Sequence, residues 1–277
     1  MSLNVQDLVG TRLAYDRLGT GEPLVLLHGQ GLSRRSWDPV VAELARERDV
    51  IAVDLPGHGE SPRQPRGAGN TPLDQARAVA ELLDQLGLAS VHVAGNSVGG
   101  WVALELGRLQ RARTVTALSP GGLWGRKAPL FISATMRQSR INAGIVRRLA
   151  PGAPRSRPAR ALFMAQLSGH PSKVPYAMAN QAIHDMAGAP GFWETLHAAE
   201  RTGFRDGGLI SVPVTVAFGS RDRVLPPVLT RRRGQLPPQT RWIQIKSAGH
   251  VPMFDQPGAV VALLLHGSGP RAAEPIR

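Results

Sequence analysis

The amino-acid sequence predicts an α/β protein: a mostly parallel, doubly wound sheet with one helical cap inserted into it. Three observations carry that prediction. Strand-like and helix-like segments alternate from Leu13 to Leu118. The alternation stops after Ser119-Pro120-Gly121-Gly122 and resumes at Val214. Between them, Ser97 stands in Gly95-Asn96-Ser97-Val98-Gly99-Gly100, where an apolar strand turns into a helix.

Taken in order, the first strands are expected from Leu13 to Arg17 and from Leu24 to His28. The second is a continuous apolar run, as befits a strand covered on both faces. A helix follows from Ser36 to Arg46, then a strand from Val50 to Val53. Thr71 caps the next helix, with Pro72 in its first position and Asp74 at N3, and Gly87 stops it. Val91 to Ala94 is a strand, Gly100 to Leu109 a helix and Thr114 to Leu118 a strand. From Leu123 to Leu209 the pattern is helical and irregular, with a Pro/Arg linker between Pro151 and Pro158. Val214 to Phe218 and Trp242 to Ile245 read as strands, Pro227 to Arg233 and Pro257 to Leu265 as helices. The expected organisation is therefore a core of residues 1–122 and 210–266, a cap of residues 123–209, and a loose tail at 267–277.

Composition narrows the function. The 277 residues suffice for one substantial core, and 42% hydrophobic with 19% charged residues indicates an ordinary globular chain. Having no cysteines excludes disulfides, thiolate metal sites and thiol nucleophiles. No apolar run reaches membrane-span length, and the start MSLNVQDLVG has neither the basic nor the apolar part of a secretory signal, so a cytoplasmic location is expected. The net charge of +13 is localised: from Leu106 to His184 there is no Asp or Glu, against 13 Lys and Arg. Elsewhere 20 basic side chains balance 20 acidic ones. The whole excess therefore lies on the cap and the segment leading to it.

The chemistry starts from Ser97. A hydroxyl needs a base within hydrogen-bond reach, and that base needs an orienting group. Strand ends of a parallel sheet share one edge, so the partners are sought there. His250, in the loop after the last strand, is the expected base, and Asp222, after the Val214 to Phe218 strand, is the expected acid. The bland alternative for Asp222 is a surface ion pair with Arg221 or Arg223. An acid after the preceding strand, near Ser119, is excluded because that stretch has no carboxylate. A developing oxyanion needs two donors, for which the backbone N–H groups of Val98 and of Gln30, in the turn His28-Gly29-Gln30-Gly31, are candidates. His28 and His58 are read as turn-shaping, His92 as packed. No histidines stand at metal-ligand spacing, so neither a metal nor a cofactor is expected.

His28-Gly-Gln-Gly31, Asp54-Leu-Pro-Gly-His-Gly-Glu-Ser61, the Gly95 to Gly100 motif, Gly219-Ser-Arg-Asp222 and Gly249-His250 together resemble the α/β-hydrolase family, over roughly Leu3 to Gly267. The resemblance implies a mostly parallel eight-stranded sheet and a triad of Ser97, Asp222 and His250. Dehalogenases and epoxide hydrolases of that fold carry aspartate at the elbow; serine there implies an acyl-enzyme route and a carboxylic-ester hydrolase.

Substrate choice in such a fold rests with the cap. Met136, Met164, Met178, Met186, Phe131, Phe163, Tyr176, Phe192 and Trp193 either line an acyl pocket or form the cap's own core. Trp37 and Trp101 likewise touch substrate or only pack. The basic cap reads as a solvated surface, as a site for an anionic small-molecule ester, or as a dock for an acidic carrier protein; no motif for nucleic acid accompanies it. The elbow and Ser119-Pro-Gly-Gly122 are also similar to hydrolases that cleave carbon–carbon bonds in anionic ring-fission products, but the HGxGPGA pattern of that subgroup is absent. A non-catalytic ligand receptor is the third alternative.

Overall fold

The computed structural model describes residues 12–64, 69–149 and 155–267. Seven strands form one sheet among them: β1 (Tyr15–Leu18), β2 (Glu22–Leu27), β3 (Arg48–Val53), β4 (Val91–Asn96), β5 (Ala112–Leu118), β6 (Val214–Gly219) and β7 (Arg241–Ile245). Their order is β1-β3-β2-β4-β5-β6-β7, with β1 antiparallel to β3 and every other pair parallel. The eight strands implied by the resemblance are thus seven among the described residues.

Strand alternation builds two apolar layers. Leu24, Leu26, Val50 and Ala52 face one side, where α1 (Asp38–Leu44) and α9 (Pro257–Gly267) supply Val40, Leu44, Val260 and Leu264. Val25, Leu27, Ile51 and Val53 face the other, against Val79 and Leu83 of α2 (Pro72–Gln85) and Val102 and Leu106 of α3 (Val98–Arg108). Because both faces are covered, the strands read as continuous apolar runs rather than as alternating ones. Thr71 and Asp74 form the expected reciprocal cap of α2.

The chain leaves β2 outward to β3 and returns to β4 on the other side of β2. Loops after β2 and β4 therefore diverge, opening a crevice at their carboxyl ends. Above this edge, between β5 and β6, lie α4 (Leu130–Leu149), α5 (Arg157–Met164), α6 (Tyr176–Gly188) and α7 (Phe192–Glu200). Helix α4 packs on α6 and α7, and α7 rests on α2.

Three expectations change. The helix expected from Pro227 to Arg233 is only α8 (Pro227–Thr230), followed by a 3-10 turn at Arg233–Gln235. Arg231 leaves the helical region because its guanidinium turns in over the Phe218 ring, 4.2 Å from its centre. The elbow helix starts at Val98, two residues before the expected Gly100. Of the expected Pro/Arg linker, residues 151–154 lie outside the described residues, and its end is helical because Pro158 sits in the first turn of α5, where its missing N–H costs nothing. Of the expected tail, residues 268–277 are likewise outside the described residues, and Gly267 ends α9. No described helix is long and apolar enough to cross a membrane.

Candidate active site

Ser97 joins β4 to α3 with φ 56° and ψ −117°, a backbone region that side chains disfavour. The surroundings hold it there. Ser97 N–H donates to the Leu118 carbonyl at 2.9 Å, and the Ser97 carbonyl accepts from Gly121 and Trp101 at 3.0 and 3.1 Å. The motif glycines are required by contact: a Cβ on Gly95 would overlap the Gly99 carbonyl, and one on Gly99 would overlap the carbonyls of Leu27 and His28. The first turn of α3 is thereby pressed against the end of β2.

His250 and Asp222 meet across the ends of β7 and β6. His250 Nδ1–H donates to Asp222 Oδ2 at 3.0 Å, which leaves Nε2 as the ring's lone-pair nitrogen. Asp222 Oδ1 accepts from the Val224 and Leu225 N–H groups at 2.9 and 3.0 Å. Burial pushes the Asp222 carboxyl up, but the facing imidazole, its hydrogen bond, the Leu225 amide and the nearby Ser119 hydroxyl outweigh this and hold it below the usual carboxylate value. Arg221 and Arg223 turn away to the carbonyls of Gly169 and Ala165, so neither pairs with Asp222.

The turn after β2 abuts the elbow. A Cβ on Gly29 would stand 3.3 Å from Ser97 Cβ and 3.2 Å from Asn96 Oδ1. Both His28 nitrogens are engaged: Nδ1–H donates to the Gly29 carbonyl at 2.8 Å and Nε2 accepts from Leu55 N–H at 2.9 Å. Burial pushes this imidazole below its ordinary value, against the raising effect of Asp54, so it is a neutral strut and not a base. The Gln30 side chain donates to the Phe192 carbonyl at 2.8 Å, tying the turn to α7. Its backbone N–H, like that of Val98 at the open end of α3, finds no protein acceptor among the described residues.

A cavity of about 640 Å³ lies over this edge. Gly29, Gln30, Asn96, Ser97 and His250 form its floor. Its walls are apolar: Met136, Ile145 and Val146 from α4, Leu162, Phe163 and Met164 from α5, Ile183 and Met186 from α6. Ser139, Asn142 and Gln166 supply the polar part, and Ser139 is hydrogen-bonded to Gln166. No Lys, Arg, Asp or Glu lines it among the described residues.

Residues 24–263 match the model of the alpha/beta hydrolase family. This chain belongs to that family. Among its relatives is the epoxide hydrolase EphH of Mycobacterium tuberculosis, 34% identical over 67% of this chain and 89% of the relative. The putative non-heme bromoperoxidase BpoC of the same organism is 28% identical over 91% and 96%. Among solved structures, a thermophilic esterase from Thermogutta terrifontis superposes with a TM-score of 0.73 at 28% identity, covering 95% of this chain and 94% of that one.

Within this alpha/beta hydrolase, the three tryptophans considered for substrate contact lie elsewhere. Trp37 is fully buried beneath α1, and none of the three lines the cavity. Trp101 packs edge-on against Trp124 and donates to Glu105 at 3.1 Å. Trp193 is partly exposed on α7, its ring tilted 32° to that of His197 at 6.2 Å. Trp37 and Trp101 belong to the apolar layers on the two faces of the sheet, so their rings are taken up by packing. Phe131 and Tyr176 are exposed, and Met178 lines a separate hollow. Met136, Phe163, Met164 and Met186 do reach the cavity.

Two residues support the site without having been singled out. Asn96 Nδ2 donates to the His250 carbonyl at 2.9 Å and to the Leu118 carbonyl at 3.2 Å, binding the histidine loop to the elbow. Its place inside the elbow motif was its only sequence signal. Asp255 accepts from Gly249 N–H at 2.7 Å, Ser168 Oγ at 2.5 Å and Gly169 N–H at 2.8 Å, clamping the same loop to the segment after α5. No pattern around it in the sequence announces this.

Proposed function

We propose that this hydrolase cleaves uncharged carboxylic esters with an apolar acyl group, through an acyl-enzyme intermediate. Ser97 Oγ attacks the acyl carbon while His250 Nε2 takes its proton, Nδ1–H being engaged by Asp222. The N–H groups of Gln30 and Val98 receive the negative charge on the carbonyl oxygen. His250 then protonates the departing alcohol, a water attacks the acyl carbon with its proton passing to His250, and Ser97 leaves to release the acid. On this reading residues 123–209 act as the cap that forms the acyl pocket.

The observation that carries the reading is a serine and a carboxylate-oriented imidazole under an apolar cavity without charged walls. It weighs against an anionic ring-fission substrate, because no arginine lines the cavity among the described residues. It also weighs against the ring opening that the name of the relative EphH suggests. No carboxylate nucleophile lines the cavity among the described residues. The test is hydrolysis of activated esters of graded acyl length beside anionic acyl analogues. Neutral medium-length esters should be preferred, and Ser97→Ala should lower kcat by about 10⁴-fold or more. Turnover unchanged by Ser97→Ala would overturn the mechanism, and preference for the anionic analogues would overturn the substrate class.

A further inference from the structure

The cavity opens on a surface unlike the rest of the molecule. On α4, Ile141, Ile145 and Leu149 recur every fourth residue and so form one stripe, exposed by 50%, 49% and 82%. Leu162 of α5 is exposed by 81%. Ile145 and Leu162 also line the cavity, so its apolar wall continues outward onto the surface. Contiguous exposed apolar surface of this kind marks an interaction site.

The charge around the stripe identifies the partner. Arg148, next to Leu149 on α4, and Arg155 and Arg157, at the start of α5, are all exposed and without a carboxylate partner among the described residues. The carboxylates that reach the inserted helices are already engaged: Glu200 by Arg137, Glu194 by Arg63, Asp185 by Ser33 and Gln181, Asp255 by Ser168 and Gly169. A second copy of this chain would bring another +13 against the first and is repelled. A contiguous apolar stripe accompanied by exposed cations without a carboxylate partner matches the layered chemistry of an anionic lipid surface, acyl region beneath and phosphate above.

We propose that this face docks on an anionic lipid surface, with Ile141, Ile145, Leu149 and Leu162 entering the acyl boundary and the arginines meeting the headgroups. The docking rests on the exposed face alone; that it presents apolar esters directly to the cavity rests also on the hydrolase reading.

Co-sedimentation of the full chain with vesicles provides the test. Vesicles of phosphatidylglycerol mixed with phosphatidylcholine should bind at least about tenfold more protein than phosphatidylcholine alone, and high salt should reduce the difference. Ile141→Ser with Leu149→Ser, and separately Arg148→Glu with Arg157→Glu, should each weaken binding by about tenfold. Turnover of a water-soluble acetate ester should be unchanged in both double variants. Equal binding to both vesicle types, no binding, or variants that bind like the wild type would overturn the proposal. Capture of an acidic carrier protein without vesicle binding would also overturn it, in favour of a protein partner. Vesicle binding together with undiminished turnover in Ser97→Ala would leave the docking standing and sink only the hydrolase reading.

Discussion

At the sheet edge, the buried side chains of His28, Asp222 and Asp54 are fully engaged: His28 uses both ring nitrogens, Asp222 uses both oxygens, and Asp54 receives the Arg34 and Glu60 N–H groups. Across the cavity, α4 and α5 leave Ile141, Ile145, Leu149 and Leu162 in solvent, and Arg148 and Arg157 exposed without a carboxylate partner among the described residues. The two regions meet different physical demands. A site that must hold charge in place needs polar groups satisfied in one geometry before the substrate arrives. A wall that accepts acyl chains needs only apolar volume, which methionine and leucine fill without a fixed arrangement.

The contrast can be tested by perturbing each side in turn. The largest effect is expected for Asp222→Asn, which preserves shape but misorients the imidazole: kcat should fall by about 10⁴-fold with an unchanged circular dichroism spectrum. A loss below tenfold would mean that the floor is not electrostatically organised around His250. Next comes packing. Trp37→Ala should cost about 3–5 kcal/mol in urea unfolding, whereas Leu162→Ala should stay within about 0.5 kcal/mol. Comparable costs at the two positions would erase the distinction between the packed layers under the site and the tolerant wall above it.

The third effect is a pH dependence. Burial pushes His58 down to about 3, aided by His28 and Arg140 and opposed by its bond to the Pro56 carbonyl and by Asp54, and His28 is lowered as well. In the unfolded chain both rings take up a proton below about 6.5, while in the folded protein they stay neutral. Stability is therefore full above that value and falls with decreasing pH, by up to about 1.4 kcal/mol per unit for each ring, until the folded value is reached. His58→Gln should flatten the slope of unfolding free energy between neutral and mildly acidic pH. An unchanged slope would mean that His58 is hydrated or paired in solution. The smallest effect belongs to the wall: Phe163→Ala lengthens the cavity, and kcat/KM for longer acyl chains should rise a few-fold relative to short ones, on the order of 1 kcal/mol. A uniform change across chain lengths would remove Phe163 from the acyl path.

Much of this arrangement was legible beforehand. Gly95, Gly99 and Gly100 announced a sharp turn because only hydrogen fits between crossing backbones, and the contacts at Gly95 and Gly99 are of that kind. Asp222 and His250 were found by counting strands, since every strand of a parallel sheet delivers its following loop to the same edge. The positions of the tryptophans were not legible, for a complementary reason. Trp37, Trp101 and Trp193 lie close in sequence to elements of the site, but sequence proximity does not give helical phase relative to the crevice. Asn96 and Asp255 contribute through hydrogen bonds to backbone carbonyls and amides far along the chain, which leave no residue-type signature.

By itself, the sequence determined the parallel α/β architecture, the turn at Ser97, and the edge where a hydroxyl, an imidazole and a carboxylate are delivered. These are consequences of local backbone sterics and of hydrophobic period, which act over a few residues. Only the tertiary structure decided which apolar side chains enclose the cavity and that no basic side chain among the described residues lines it. Those outcomes depend on how α4 to α6 rotate against the sheet, a sum of many weak packing contacts between distant segments that no short stretch of sequence encodes.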